Sequence, residues 1–127
     1  MIQIPISTGE LIDKLSILQV KKNKITNSEK LAYIDLEFEI LYKESLEYLK
    51  LDLIWMLYNE LIHVNTDLWE IEDELRLIEN TKIFEDRFIH LARQVYYTND
   101  NRFKLKDEIN KLTNSEIKEQ KDYTEYK

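Results

Sequence analysis

The chain has 127 residues, 43% hydrophobic and 34% charged, with one glycine, one proline and no cysteine. That length makes a single domain over residues 1–127, large enough to bury about two-thirds of its unfolded surface. Lacking cysteine, it is excluded from disulfides, thiolate chemistry and cysteine-ligated metals, which fits a cytoplasmic setting.

The formal charge of -7 is unevenly placed: residues 1–30, 31–80 and 81–127 carry +2, -10 and +1. The acidic middle repels phosphate backbones, so nucleic acid is not an expected partner. No apolar run reaches the roughly 20 residues of a membrane span and the start lacks a signal-peptide pattern, so no membrane association is expected. With Gly9 and Pro5 as the only residues of their type, everything after Gly9 is free of helix breakers, which predicts an all-α fold.

In chain order, Gln3–Ile6 reads as extended, because Pro5 disfavours a helical residue before it. Ser7 and Glu10 form a capping box, with Ile6 and Leu11 placed for a hydrophobic staple. The first helix presents Leu11, Leu15, Leu18 and Ile25 and ends near Thr26. Lys21, Lys22 and Lys24 suit the negative end of its macrodipole. Asn27–Lys30 offers the next cap, for a helix striped by Leu31, Ile34, Phe38, Leu41, Ser45 and Tyr48. The stripe that follows, Leu57, Leu61, Val64, Leu68, Ile71, Leu75 and Ile78, is displaced by two residues. At about 100° per residue that puts it on nearly the opposite face, so a break near Leu49–Asp52 is predicted, with Asp52 as the new cap. A single helix from Ser28 to Asn80 is the disfavoured alternative.

After a turn between Asn80 and Phe84, the last long stripe is Phe84, Phe88, Leu91, Val95, Leu105, Ile109 and Leu112. Two positions inside it, Thr98 and Arg102, are polar. A continuous helix points a hydroxyl and a guanidinium at the core; a break capped by Thr98, Asn99 or Asp100 is the alternative. The stripe keeps its phase across the interruption, which favours continuity. A buried Arg102 then needs a carboxylate, with Glu72, Asp13 and Asp73 as candidates in that order. Thr113 and Glu116 suggest a further capping box for a short C-terminal helix before the charged tail from Tyr123 to Lys127. The sum is an antiparallel bundle of about four long helices plus that short one.

Three stretches resemble the signature blocks of a small bacterial all-helical family of unknown function: ISTGELIDKLSIL from Ile6, NTDLWEIEDELR from Asn65 and RFIHLARQVYYTNDNRFKLKDEIN from Arg87. The resemblance covers essentially the whole chain and is loosest over Tyr33–Asn59. It implies a helical domain and leaves the activity open. Its recurring polar positions fall on Glu10, Asp13, Lys14, Asn65, Trp69, Glu72, Asp73, Arg76, Arg93, Tyr97, Asn99, Asp100 and Arg102.

Arg93, Tyr97 and Asp100 fall on one helical face, with Asn99 and Arg102 on a neighbouring one. With Arg76 they form a candidate site for a small anionic ligand, the arginines acting as planar forks. The competing and favoured reading is an internal network that fixes helix register. Carboxylates at Glu10 and Asp13, and again at Glu70–Glu74, raise the alternative of a Mg²⁺-dependent enzyme acting on a phosphorylated or nucleotide substrate. A solvated or capping role is the favoured reading for them. His63 lies four residues before Asp67, as a surface ion pair would, and no second ligand pair accompanies it, so no metal site is assigned. No catalytic residue or cofactor is identified, and no Gly-rich phosphate loop can form. The over-apolar run Leu53–Tyr58 favours a homodimer over a monomer. A helical binding or assembly module is therefore the leading reading.

Overall fold

The computed structural model describes residues 1–126, and α-helix is the only regular structure among them. Helix α1 spans Thr8–Lys24, α2 Ser28–Leu49, α3 Asp52–Thr81 and α4 Asp86–Leu112. Each boundary has a local cause. Ser7 accepts a hydrogen bond from the Glu10 amide to start α1, and Asn27 does the same for Lys30 at the start of α2. These caps satisfy amides that a helix N-terminus otherwise leaves unpaired.

The expected break falls where the two stripes go out of phase, between Leu49 and Asp52. Its cap differs from the expectation: Leu51 occupies the position without a side-chain bond, and Asp52 is the first helical residue. There its carboxylate faces the positive end of the helix dipole. At the far end of α3, Lys82 closes the helix in the left-handed region with φ 59°.

Short connections make successive helices antiparallel. Helix α1 packs against all three others, while α2 and α4 do not pack on each other. Gly9 near the start of α1 lies beside Lys106 and Asn110 late in α4, and Lys24 at its end reaches Glu70. Thus α1 runs against α4 and along α3. The glycine is what permits the approach: a Cβ there would stand 2.4 Å from the Lys106 carbonyl oxygen.

The apolar core lies where α1, α2 and α3 meet the end of α4, around Ile12, Leu15, Ile54, Leu57, Leu61 and Ile109. Full burial of each such side chain contributes roughly 1.5–3 kcal/mol. Helix α4 runs unbroken through Thr98 and Arg102, as the phase of its stripe implied. The short C-terminal helix does not form among the described residues. Thr113 instead turns its hydroxyl back to the Ile109 carbonyl, and Asn114 takes a left-handed conformation with φ 50°. Asn tolerates that region, so the pair ends α4 rather than starting another helix. From there the segment doubles back along α4; the last residue of the charged tail, Lys127, lies outside the described residues. No helix among the described residues is long and apolar enough to cross a membrane.

Candidate functional site

The polar positions of α4 divide between two faces. Inward, Arg102 meets Asp13, which is completely buried on α1. The guanidinium grips the carboxylate with both Nε and Nη2; Nε stands 3.1 Å from each oxygen and Nη2 2.5 Å from Oδ2. From α3, Asn65 donates to Asp13 Oδ1 at 3.0 Å and to Ser16 Oγ at 2.8 Å. Ser16 in turn donates to the Asp13 carbonyl. The first-choice partner, Glu72, is therefore corrected to the second, Asp13. Because α1 is enclosed by three helices, its buried positions extend beyond Leu15 and Leu18 to Ile12, Asp13, Ser16 and Val20.

One turn further along α4, Lys106 is buried among three carboxylates. Its ammonium lies 2.8 Å from Glu10, 3.0 Å from Glu119 and 4.0 Å from Asp13. Burial by itself would lower the lysine pKa, but the pairs with Glu10 and Glu119, then Asp13, outweigh it and raise it. For Arg102, in contrast, the bond to Asp13 is the largest influence and raises its pKa, against the opposing effect of burial. A turn beyond, Asn110 accepts from the Gly9 amide at 2.7 Å, and Ser115 accepts from Thr8. Lys106, Asn110, Ser115 and Glu119 were not singled out from sequence. The signal for the first two was present, since Arg102, Lys106 and Asn110 continue one helical row in steps of four.

Glu10 and Asp13 are thus turned toward cations, and Glu10 lies also within 3.8 Å of Lys14. Among the described residues no group of three acidic or histidine side chains converges as a metal site would need. His63 sits 3.6 Å from Asp67 as an exposed pair.

Outward, α4 and the returning C-terminal segment enclose a groove of about 850 Å³. Three of the candidate residues, Tyr97, Asn99 and Asp100, line it, together with Lys104 on the helix and Lys121 on the segment. Tyr126 stands edge-on to the rings of Tyr96 and Tyr97, at 5.0 and 4.8 Å, and donates its hydroxyl to Asp100. That bond, then burial, pushes the Tyr126 phenol up to about 12. Lys121 lies 6.0 Å from the Phe103 ring. Arg93 is exposed, its guanidinium 6.0 Å over Tyr97. Arg76 is exposed on α3 beyond Leu68, the last buried residue of that helix. The six candidates therefore do not form one cluster: Arg102 turns inward to Asp13, three line the groove, Arg93 borders it and Arg76 stands apart.

No match is found among curated proteins or among solved structures. A family described as one of unknown function, DUF6165, matches residues 2–126, nearly the whole chain, and the protein belongs to it.

Proposed function

We propose that the chain is a helical binding and assembly module whose ligand site is the groove between α4 and the C-terminal segment, taking a small anionic ligand. One observation carries this reading: the groove gathers Tyr97, Asn99 and Asp100 with two lysines, Lys104 and Lys121. Amides and ammonium groups supply donors for a carboxylate or phosphate, while the tyrosine rings offer a flat apolar wall. Asp100 is already engaged by Tyr126, so it opposes an incoming anion less than a free carboxylate would. The register role belongs to the inward network, in which Arg102 and Lys106 face Asp13, Glu10 and Glu119.

The test is a thermal-shift panel of small carboxylates and phosphates on the full chain. A ligand at 100 times its Kd stabilises by about 2.7 kcal/mol. The shift is expected to vanish in Lys104→Gln/Lys121→Gln, whose side chains lie outside the core. No shift with any member, or a shift retained in the double variant, would remove the groove from the reading.

Self-association is the assembly half of the proposal. Leu51, Leu53, Trp55 and Met56, at the α2–α3 elbow, are 49–58% exposed, an apolar cluster of the kind found at interfaces. The accessible surface of 9193 Å² exceeds the roughly 7200 Å² expected of a compact monomer of this mass. Extended ends contribute part of the excess, and the elbow offers apolar area for a second copy.

A further inference from the structure

A second opening lies beside the Asp13–Arg102 pair, a notch of about 180 Å³ where α1, α3 and α4 meet. It reaches the core: Val20 and Leu68 in its lining are 2% and 9% exposed. Above them stand Trp69 and Glu72 from α3 and Asn99 and Arg102 from α4.

Two features of this lining bear on its chemistry. Arg102 commits Nε and Nη2 to Asp13, and among the described residues Nη1 has no protein partner. Glu72 is in no ion pair among the described residues and lies more than 4.0 Å from the guanidinium, although both line the same notch. The notch thus presents a cationic edge and an anionic group held apart over an apolar floor.

Charge balance then selects the occupant. Asp13 already neutralises Arg102, and Glu72 adds a negative charge, so a multiply charged anion is disfavoured. A simple cation would satisfy Glu72 while leaving the Arg102 edge unused. A molecule with both charges a few bonds apart engages both. We infer that the notch is a binding site for a small zwitterion of the α-amino acid class. Its carboxylate is taken by Arg102 and Asn99, and its ammonium by Glu72 and the face of Trp69. A short aliphatic side chain rests on Ile17, Val20 and Leu68. The volume, equal to about six water-sized groups, is filled by the smaller amino acids, and the notch is open to solvent beyond them. The notch adjoins the groove through Asn99, which lines both, but Arg102, Glu72 and Trp69, which carry this assignment, do not line the groove.

The chain has two tryptophans, so Trp55→Phe makes Trp69 the sole tryptophan reporter. Its fluorescence is titrated with a panel of L-amino acids, with acetate and with propylammonium, and heat of binding is measured in parallel on the unaltered chain. At least one small aliphatic amino acid is expected to saturate at roughly millimolar concentration or below, with acetate and propylammonium each weaker by about tenfold or more. Glu72→Gln, at an exposed position, should weaken the amino acid by about tenfold without moving the thermal midpoint. Lys104→Gln/Lys121→Gln should leave the titration unchanged. Saturation by acetate as tight as by the amino acid, or indifference to Glu72→Gln, overturns the zwitterion assignment. Absence of saturation by every amino acid in both measurements overturns the site.

Discussion

Taking away the Arg102 guanidinium would leave the Asp13 carboxylate fully enclosed, with Asn65 as its remaining close donor and an ammonium no nearer than 4.0 Å. Breaking a buried pair from one side costs about 3–5 kcal/mol. Arg102 is itself 27% exposed along its side chain, so Arg102→Met is expected near the lower end of that range by urea denaturation. Arg102→Met/Asp13→Leu should recover much of the loss, because no uncompensated anion remains; a double variant as unstable as the single one would show that the pair is not what holds this site. The need for a carboxylate opposite Arg102 was legible from its place between Val95 and Leu105. Its identity was not, because a stripe drawn through Leu11 and Leu15 treats α1 as having one buried face, and Asp13 lies off that stripe. A second residue-scale consequence appears in alkali. Tyr58 is pushed by burial from 10.0 to about 12, and Lys106 is raised above 10.5 once its carboxylate partners overcome burial. In both groups the folded pKa exceeds the unfolded one, so their stabilisation is fully present below about pH 10 and is lost as pH rises through the folded values. Urea midpoints should hold steady up to that point and fall between about pH 10 and 12. Tyr58→Phe should shed less stability over the same interval, and an equal fall would assign the alkaline loss elsewhere.

Among the elements, the four long helices were readable because their stripes, and the phase slip before Leu57, follow from helix geometry alone. The C-terminal segment was not. Thr, Asn and Ser satisfy free amides at a helix start and free carbonyls at a helix end by similar bonds, so Thr113–Glu116 looks like a beginning when read along the chain. Only the packing of Ser115 against Thr8 and Asn110 fixes it as an ending. The α3 terminus carries a smaller mismatch of residue and backbone. Lys82 adopts the left-handed conformation that costs a residue with a Cβ about 1–2 kcal/mol. Its ion pair with Glu79, at 3.3 Å and mostly exposed, contributes at most about 0.5 kcal/mol. Lys82→Gly is therefore expected to stabilise the chain by roughly 0.5–1 kcal/mol, allowing for the added freedom of glycine when unfolded. A lowered thermal midpoint would contradict that balance.

For the molecule as a whole, the elbow makes a prediction about mass. Trp55 is half exposed beside Tyr58, their rings 5.7 Å apart. Trp55→Glu should shift the mass measured by light scattering toward the monomer while leaving the helical circular dichroism intact; an unchanged dimer would move the contact off the elbow. At the opposite end, burial stops at Leu68 on α3 and begins again at Leu91 on α4. Helix α3 continues for roughly 20 Å past Leu68 and α4 begins only about 8 Å before Leu91, the two joined across by the Arg87–Glu74 pair, with Leu77, Ile83 and Ile89 more than half exposed. Such a paddle has little enclosed surface to resist local opening. Amides of Leu75–Ile78 should exchange with deuterium orders of magnitude faster than those of Leu57–Leu68, which open only when the whole chain unfolds; equal protection would mean that something grips the tip. Two regions on separate clocks are the expected result, and because α3 and α4 run through both, whatever steadies the paddle of the folded chain should slow its exchange and raise the melting of the body with it.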